Sequence, residues 1–223
     1  MILVGTRVPW DLTLIKSDGS VLTGTGANRP DCRPLAADIS PDGSVIVVSG
    51  DDRLGEIDLL DNEHFPLIRK SISGHFGPTS ALRFSPSGGD LASAGKDGNV
   101  VLWESAQWTP RLRLSAGTAV GCVAWNRDST AVAAGDADGI IHVWHRDGRK
   151  IGTLEAQAGA VTSIDWDLTK NRVAAGYSSG SILTWDVDRE SSTQELRAHK
   201  GPVTAVLFSV DGSRIVSGGL DEN

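Results

Sequence analysis

Cysteine is nearly absent, with only Cys32 and Cys122 in a chain of 223 residues. The two stand far apart, without metal-knuckle spacing, and make a poor disulfide framework. The expectation is a reducing intracellular compartment, the cytoplasm, with no metal and no cofactor. Long apolar runs are lacking too. The opening MILVGTRVPW is too short for a signal peptide, and no stretch approaches the ~20 apolar residues of a membrane span. There is no run of lysine or arginine and the net charge is −7, so neither nucleic acid nor a membrane is an expected partner. No stretch reads convincingly as a helix, and no low-complexity linker divides the chain. One domain, residues 1–223, is expected.

Glycine, by contrast, is plentiful at 26 residues, which suits a turn-rich globular chain. The segment Gly74 to Trp103, GHFGPTSALRFSPSGGDLASAGKDGNVVLW, shows the organisation best. Three short β-rich runs are separated by Ser-Pro-Ser-Gly and Lys-Asp-Gly turns, the pattern of an antiparallel meander. The pattern then repeats. Trp103 returns as Trp144 and Trp185, and Phe84 as Trp125, Trp166 and Phe208, at steps of 41 or 42 residues. A Gly-His start, a Trp-Asp type end and a period of ~40–45 residues mark four-stranded propeller blades.

On these residues the chain resembles the WD-repeat family over nearly all its length. The implied fold is all-β, a propeller of four-stranded antiparallel blades, with strands a to d in each. It has about four full blades plus two half-blades, a five-blade equivalent. Residues 1–34 read as a c/d half-blade and loop, with the Asp-Gly hairpin of Asp11–Gly26, Ile15 in the Trp position and Ile2–Thr6 as a remnant of strand b. Whole blades follow at 35–73, 74–114, 115–156 and 157–197, and an a/b half-blade at 198–223. In the first whole blade Asp58 or Leu59 stands at the Trp position. Three closures fit the count: an incomplete arc of a larger propeller, a five-blade ring closed by its own ends, or closure by another chain.

The resemblance also implies a buried hydrogen-bonded set of His75, Ser93, Asp97 and Trp103. Its partial repeats are Asp138 and Trp144, then Trp185, then His199, Ser217 and Asp221. By residue type this is a Ser-His-Asp triad. The nucleophile elbow Gly-x-Ser-x-Gly between strand and helix is missing, however, and the repeat itself accounts for these residues. No catalytic residue is assigned, and the expected protein is not an enzyme. Asp136-Ala137-Asp138-Gly139 reads as a plain turn, since a calcium loop needs further acidic ligands downstream. His142 and His145 fall on opposite faces of a strand and cannot share a metal.

The family's partner-contacting positions map onto Arg33, Asp51, Pro78, Ser80, Lys96, Thr162, Ser178, Pro202 and Thr204. They are bland in type and read equally well as ordinary loop residues. Trp10 and Trp108 fall outside the repeat. The implied function is a scaffold presenting propeller loops to protein or peptide partners. The alternative is the recruiting or assembly module of a larger enzyme or complex, with self-association or pairing to a further propeller segment.

Overall fold

The computed structural model describes residues 2–5, 11–15, 20–25, 32–61, 68–189 and 191–221. Trp10 and the loop residues 26–31 lie outside them. Every regular element described is a strand. An N-terminal sheet holds β1 (Ile2–Gly5), β2 (Asp11–Ile15) and β3 (Val21–Thr25). The first four-stranded blade is β4 (Pro34–Ile39), β5 (Val45–Gly50), β6 (Glu56–Asp61) and β7 (Ile68–Ser73). The second is β8 (Thr79–Phe84), β9 (Asp90–Gly95), β10 (Asn99–Glu104) and β11 (Thr109–Ser115). The third is β12 (Val120–Trp125), β13 (Ala131–Asp136), β14 (Ile140–His145) and β15 (Lys150–Glu155). The fourth is β16 (Val161–Trp166), β17 (Arg172–Tyr177), β18 (Ser181–Asp186) and β19 (Ser191–Arg197). A two-stranded sheet of β20 (Val203–Phe208) and β21 (Ile215–Gly219) follows. All pairings are antiparallel meanders, and the fold is a β-propeller of stacked blades.

The first strands of successive blades, β4, β8, β12, β16 and β20, lie against one another and form the inner wall. Carboxylates tie that wall together. Asp38 accepts the N–H of Phe84 and Asp165 that of Phe208, each at 2.7 Å. Burial pushes both carboxyls above their usual range, against the pull of these bonds and of Arg83. The second strands are covered on both sides, so they do not alternate. Every residue of β9 and β13 is buried, and the sequences DLASAG and AVAAGD are small enough to fit between two neighbouring sheets.

Three sequence expectations change. The N-terminal piece has three strands, because β1 pairs with β2, placing Ile2 opposite Ile15 as Leu91 lies opposite Trp103. In the first blade Leu60, not Asp58 or Leu59, takes the Trp103 position, since it faces Ile46. The connection from β5 to β6 is two residues longer than that from β9 to β10, which displaced the alignment. Finally, no pairing joins β21 to β2 among the described residues, and β1 already holds that edge. The last sheet is accordingly open on one face. Val47, Ala92, Ala133 and Ala174 occupy one equivalent position and are 0% exposed, whereas Val216 at that position is 66% exposed.

Candidate functional site

His75 lies just after β7, Ser93 on β9, Asp97 in the β9–β10 turn and Trp103 on β10. The blade's register brings the four together. His75 Nδ1 is 3.0 Å from Asp97 Oδ1, and Nε2 is 2.7 Å from Ser93 Oγ. The Trp103 indole donates to the same Oγ at 2.8 Å. Burial lowers the His75 pKa, outweighing the opposing pull of Asp97, and keeps the ring neutral. Nδ1–H then donates to Asp97, Nε2 accepts from the Ser93 hydroxyl, and every polar atom of the set is paired. Burial would raise the Asp97 carboxyl, but the Phe76 N–H, His75 and Asn99 more than offset it and hold it below its usual range.

The imidazole fits because Gly95 has no side chain, and a Cβ there would collide with His75 Nδ1. The same space recurs elsewhere in the chain. At Gly50 it is taken by the sulfur of Cys32 and at Gly219 by the ring of His199. His199 repeats the set, 2.9 Å from both Asp221 and Ser217.

The third blade reverses the arrangement, with Asp136 at the Gly95 position and Ala116 at the His75 position. Asp136 is fully buried and accepts the N–H groups of Asp138 and Ile140 and, at 2.8 Å, His142 Nε2. Asp138, expected in the buried set, is exposed, so the carboxylate has moved two residues upstream. Trp144 instead stacks on His142, with ring centroids 5.4 Å apart. In the fourth blade Tyr177 fills the space. Burial pushes its hydroxyl up to about 12, with Trp185 pulling the other way. Trp185 is buried, but Ala175 stands where Ser93 would accept its indole.

The expected partner positions gather on one rim. The N–H of Asp51 bonds to the carbonyl of Arg33, and Lys96 to Pro78, Ser178 to Ala160 and Leu220 to Pro202, at 2.9–3.0 Å. The candidates differ in availability. Arg33, Lys96, Ser178 and Thr204 are exposed, and Asp51, Pro78, Ser80, Thr162 and Pro202 are half-buried. Ser80, Thr162 and Thr204 sit at register shifts in their strands and spend their hydroxyls on the carbonyls of Ala94, Gly176 and Gly218. Trp108 packs edge-on against Phe84 at 6.1 Å and covers the blade's outer end.

Sequence reasoning missed Phe76 and Leu54, which are 85% and 64% exposed. It also missed Asp90, a buried carboxylate held by Arg111 at 3.0 Å and by Arg146 of the next blade at 2.8 Å. An Arg in a turn and an Asp at a strand start carry no spacing signal that would join them.

Comparison with known proteins adds the decisive observation. The family described as WD domain, G-beta repeat matches residues 67–104, which hold β7 to β10, and 108–145, which hold β11 to β14. These residues are WD repeats. The Vps8 beta-propeller family matches residues 149–217 of this WD-repeat chain. The chain is similar to "Telomerase protein component 1" of Mus musculus, 28% identical over 123 residues, covering 50% of the chain and 5% of that protein. "Actin-interacting protein 1-2" of Arabidopsis thaliana is 30% identical over 112 residues, covering 49% of the chain and 18% of that protein. The "U5 small nuclear ribonucleoprotein 40 kDa protein" of Dictyostelium discoideum is 29% identical over 188 residues, covering 82% and 50%. The WD-repeat chain thus spans half or less of the length of each. Among the described residues, no helix is long and apolar enough to cross a membrane.

Proposed function

We propose that this WD-repeat chain is a non-catalytic scaffold whose loop rim receives protein or peptide partners. One observation carries the reading: the Ser-His-Asp set is spent on structure. Ser93 is 0% exposed and its oxygen holds both the Trp103 indole and the His75 ring, so no substrate carbonyl can reach it. Catalysis by that set would require an open nucleophile beside an oxyanion site. A rigid sheet framework presenting loops on one rim is suited to recognition instead. The net charge of −7 favours protein over nucleic-acid partners, and a chain with only two cysteines, both buried, fits an intracellular, cytoplasmic setting.

A hydrolase screen of the wild type beside Ser93→Ala and Ser217→Ala tests this. The expected result is no activity to lose. Turnover abolished by either substitution, with folding intact, would overturn the scaffold reading.

A second reading, favoured by the exposed Val216 face, is pairing of the last sheet with a further propeller segment or a second copy. Light-scattering mass across a concentration series tests it, and a concentration-independent monomer counts against a second copy.

A further inference from the structure

Three loops meet on the rim between the first and second blades. Gly55 has a φ of +61°, and a Cβ there would lie 2.5 Å from the carbonyl of Gly77 and 2.7 Å from the His75 side chain. The Ser73 hydroxyl donates to the carbonyl of Leu54 at 3.0 Å. The connections 51–55 and 73–78 are therefore packed together, which brings the exposed side chains of Leu54 and Phe76 to one place. The third loop is fixed by the Lys96 N–H on the Pro78 carbonyl.

Large apolar side chains so exposed are ordinarily mobile, but this one is held. The Phe76 N–H donates to Asp97 Oδ2 at 3.0 Å. Arg113 donates to the same oxygen at 3.3 Å and to the Gly74 carbonyl, and its guanidinium lies 5.6 Å from the Phe76 ring centroid. A preset aromatic beside a guanidinium has the composition of an interface anchor. The equivalent positions in the following blades are Gly117, Ala158 and Lys200, so this rim alone carries an aromatic there.

Charge identifies the partner. Arg53 and Lys96 are exposed and have no ion-pair partner among the described residues. The nearby carboxylates keep their charge but lie lower, Asp97 with a side chain 6% exposed and Asp51, Asp52 and Glu56 half-buried, and the aspartates are tied to backbone N–H groups. Asp97 holds Phe76 and Asn99, Asp52 receives the N–H groups of Leu54 and Glu56, and Asp51 holds Arg33. The charges a partner meets first beside Leu54 and Phe76 are thus the two exposed cations, on a chain of net charge −7.

We propose that the rim of Arg53, Leu54, Phe76, Lys96 and Arg113 docks an acidic peptide segment that lays a bulky apolar side chain beside Phe76. The proposal rests on the scaffold reading above and names the partner's chemistry. The peptide's carboxylates meet Arg53 and Lys96, where steering by exposed charge weakens with salt.

The test selects a phage-displayed library of random short peptides on the full 223-residue chain. Enriched peptides are then synthesised and titrated by fluorescence anisotropy against wild type, Phe76→Ser, and the Arg53→Ser/Lys96→Ser double variant. The expected peptides carry Asp or Glu around a Leu, Phe or Trp, and both variants weaken them about tenfold or more. Added salt weakens wild-type binding as well. All three substituted side chains are exposed, and melting curves show whether each variant is folded. If Phe76→Ser does not fold, the charge variant alone decides.

Enriched peptides that are neutral or basic, or that bind the variants as well as wild type, overturn this docking site while leaving the scaffold reading intact. A library that yields no binder counts against both.

Discussion

The space beside Gly95 makes a quantitative prediction. Gly95→Ala places a methyl group into the His75 ring, and overpacking of this kind costs about 1–3 kcal/mol. His75→Ala removes the ring and leaves the Ser93 hydroxyl and the Asp97 carboxylate without their partner. Each such loss costs about 1–3 kcal/mol. If the two residues compete for one volume, the effects are not additive. With His75 already gone, the methyl group no longer meets the ring and is left with Asp97 Oδ1, 2.6 Å away, so its cost falls. The expected coupling is about 0.5–3 kcal/mol in favour of the double variant.

Equilibrium urea unfolding of the four proteins reads this directly, with the m-value checked for constancy before free energies are compared. The reasoning fails if Gly95→Ala costs the same in both backgrounds, within about 0.5 kcal/mol. A bare sum would mean that the tenants of the equivalent spaces, Cys32, Asp136, Tyr177 and His199, are unrelated accidents.

Three further outcomes are expected. Asp136→Ala, which strips His142 and two N–H groups of a fully buried acceptor, destabilises by about 3–5 kcal/mol. Asp138→Ala changes stability by less than about 1 kcal/mol, and thermal midpoints separate the two. The His75 pKa is lower folded than unfolded, so its contribution is complete above the unfolded value of about 6.5 and is lost as pH falls below it. The urea midpoint therefore drops between about pH 7 and pH 5, and His75→Gln lessens the drop. Asp165 has the opposite sign, because its raised pKa makes the charged form a liability that fades as pH falls toward the unfolded value. Asp165→Asn still offers a carbonyl to Phe208 and is expected to raise the midpoint at neutral pH, with the gain shrinking on acidification. A lowered midpoint at neutral pH would contradict this.

The strands were legible because packing imposes them at constant intervals. Trp103, Trp144 and Trp185 each cap a third strand, and the small residues of β9 and β13 follow from having sheets on both sides. The first blade was harder to read, since its longer second turn moves Leu60 out of step with Trp103. Asp136 was hidden for another reason. The third blade keeps a carboxylate and an imidazole but draws them from other strand positions, and only their meeting in space shows the equivalence. The available sign was Asp136 where the neighbouring blade has Gly95, together with Ala116 and His142. Phe76 and Leu54 escaped notice because exposure leaves no period in a sequence.

The uncovered last sheet grades the chain's resistance to opening. The backbone of β9 and β13 lies under two neighbouring sheets, while β21 has one neighbour strand and leaves Val216 at the surface. Local opening is easiest where few apolar contacts hold a segment, so amide protons should exchange with solvent fastest at β21 and slowest in the second and third blades. Any molecule that settles over Val216 would slow that exchange at its source, and the chain would report its arrival by quieting there first.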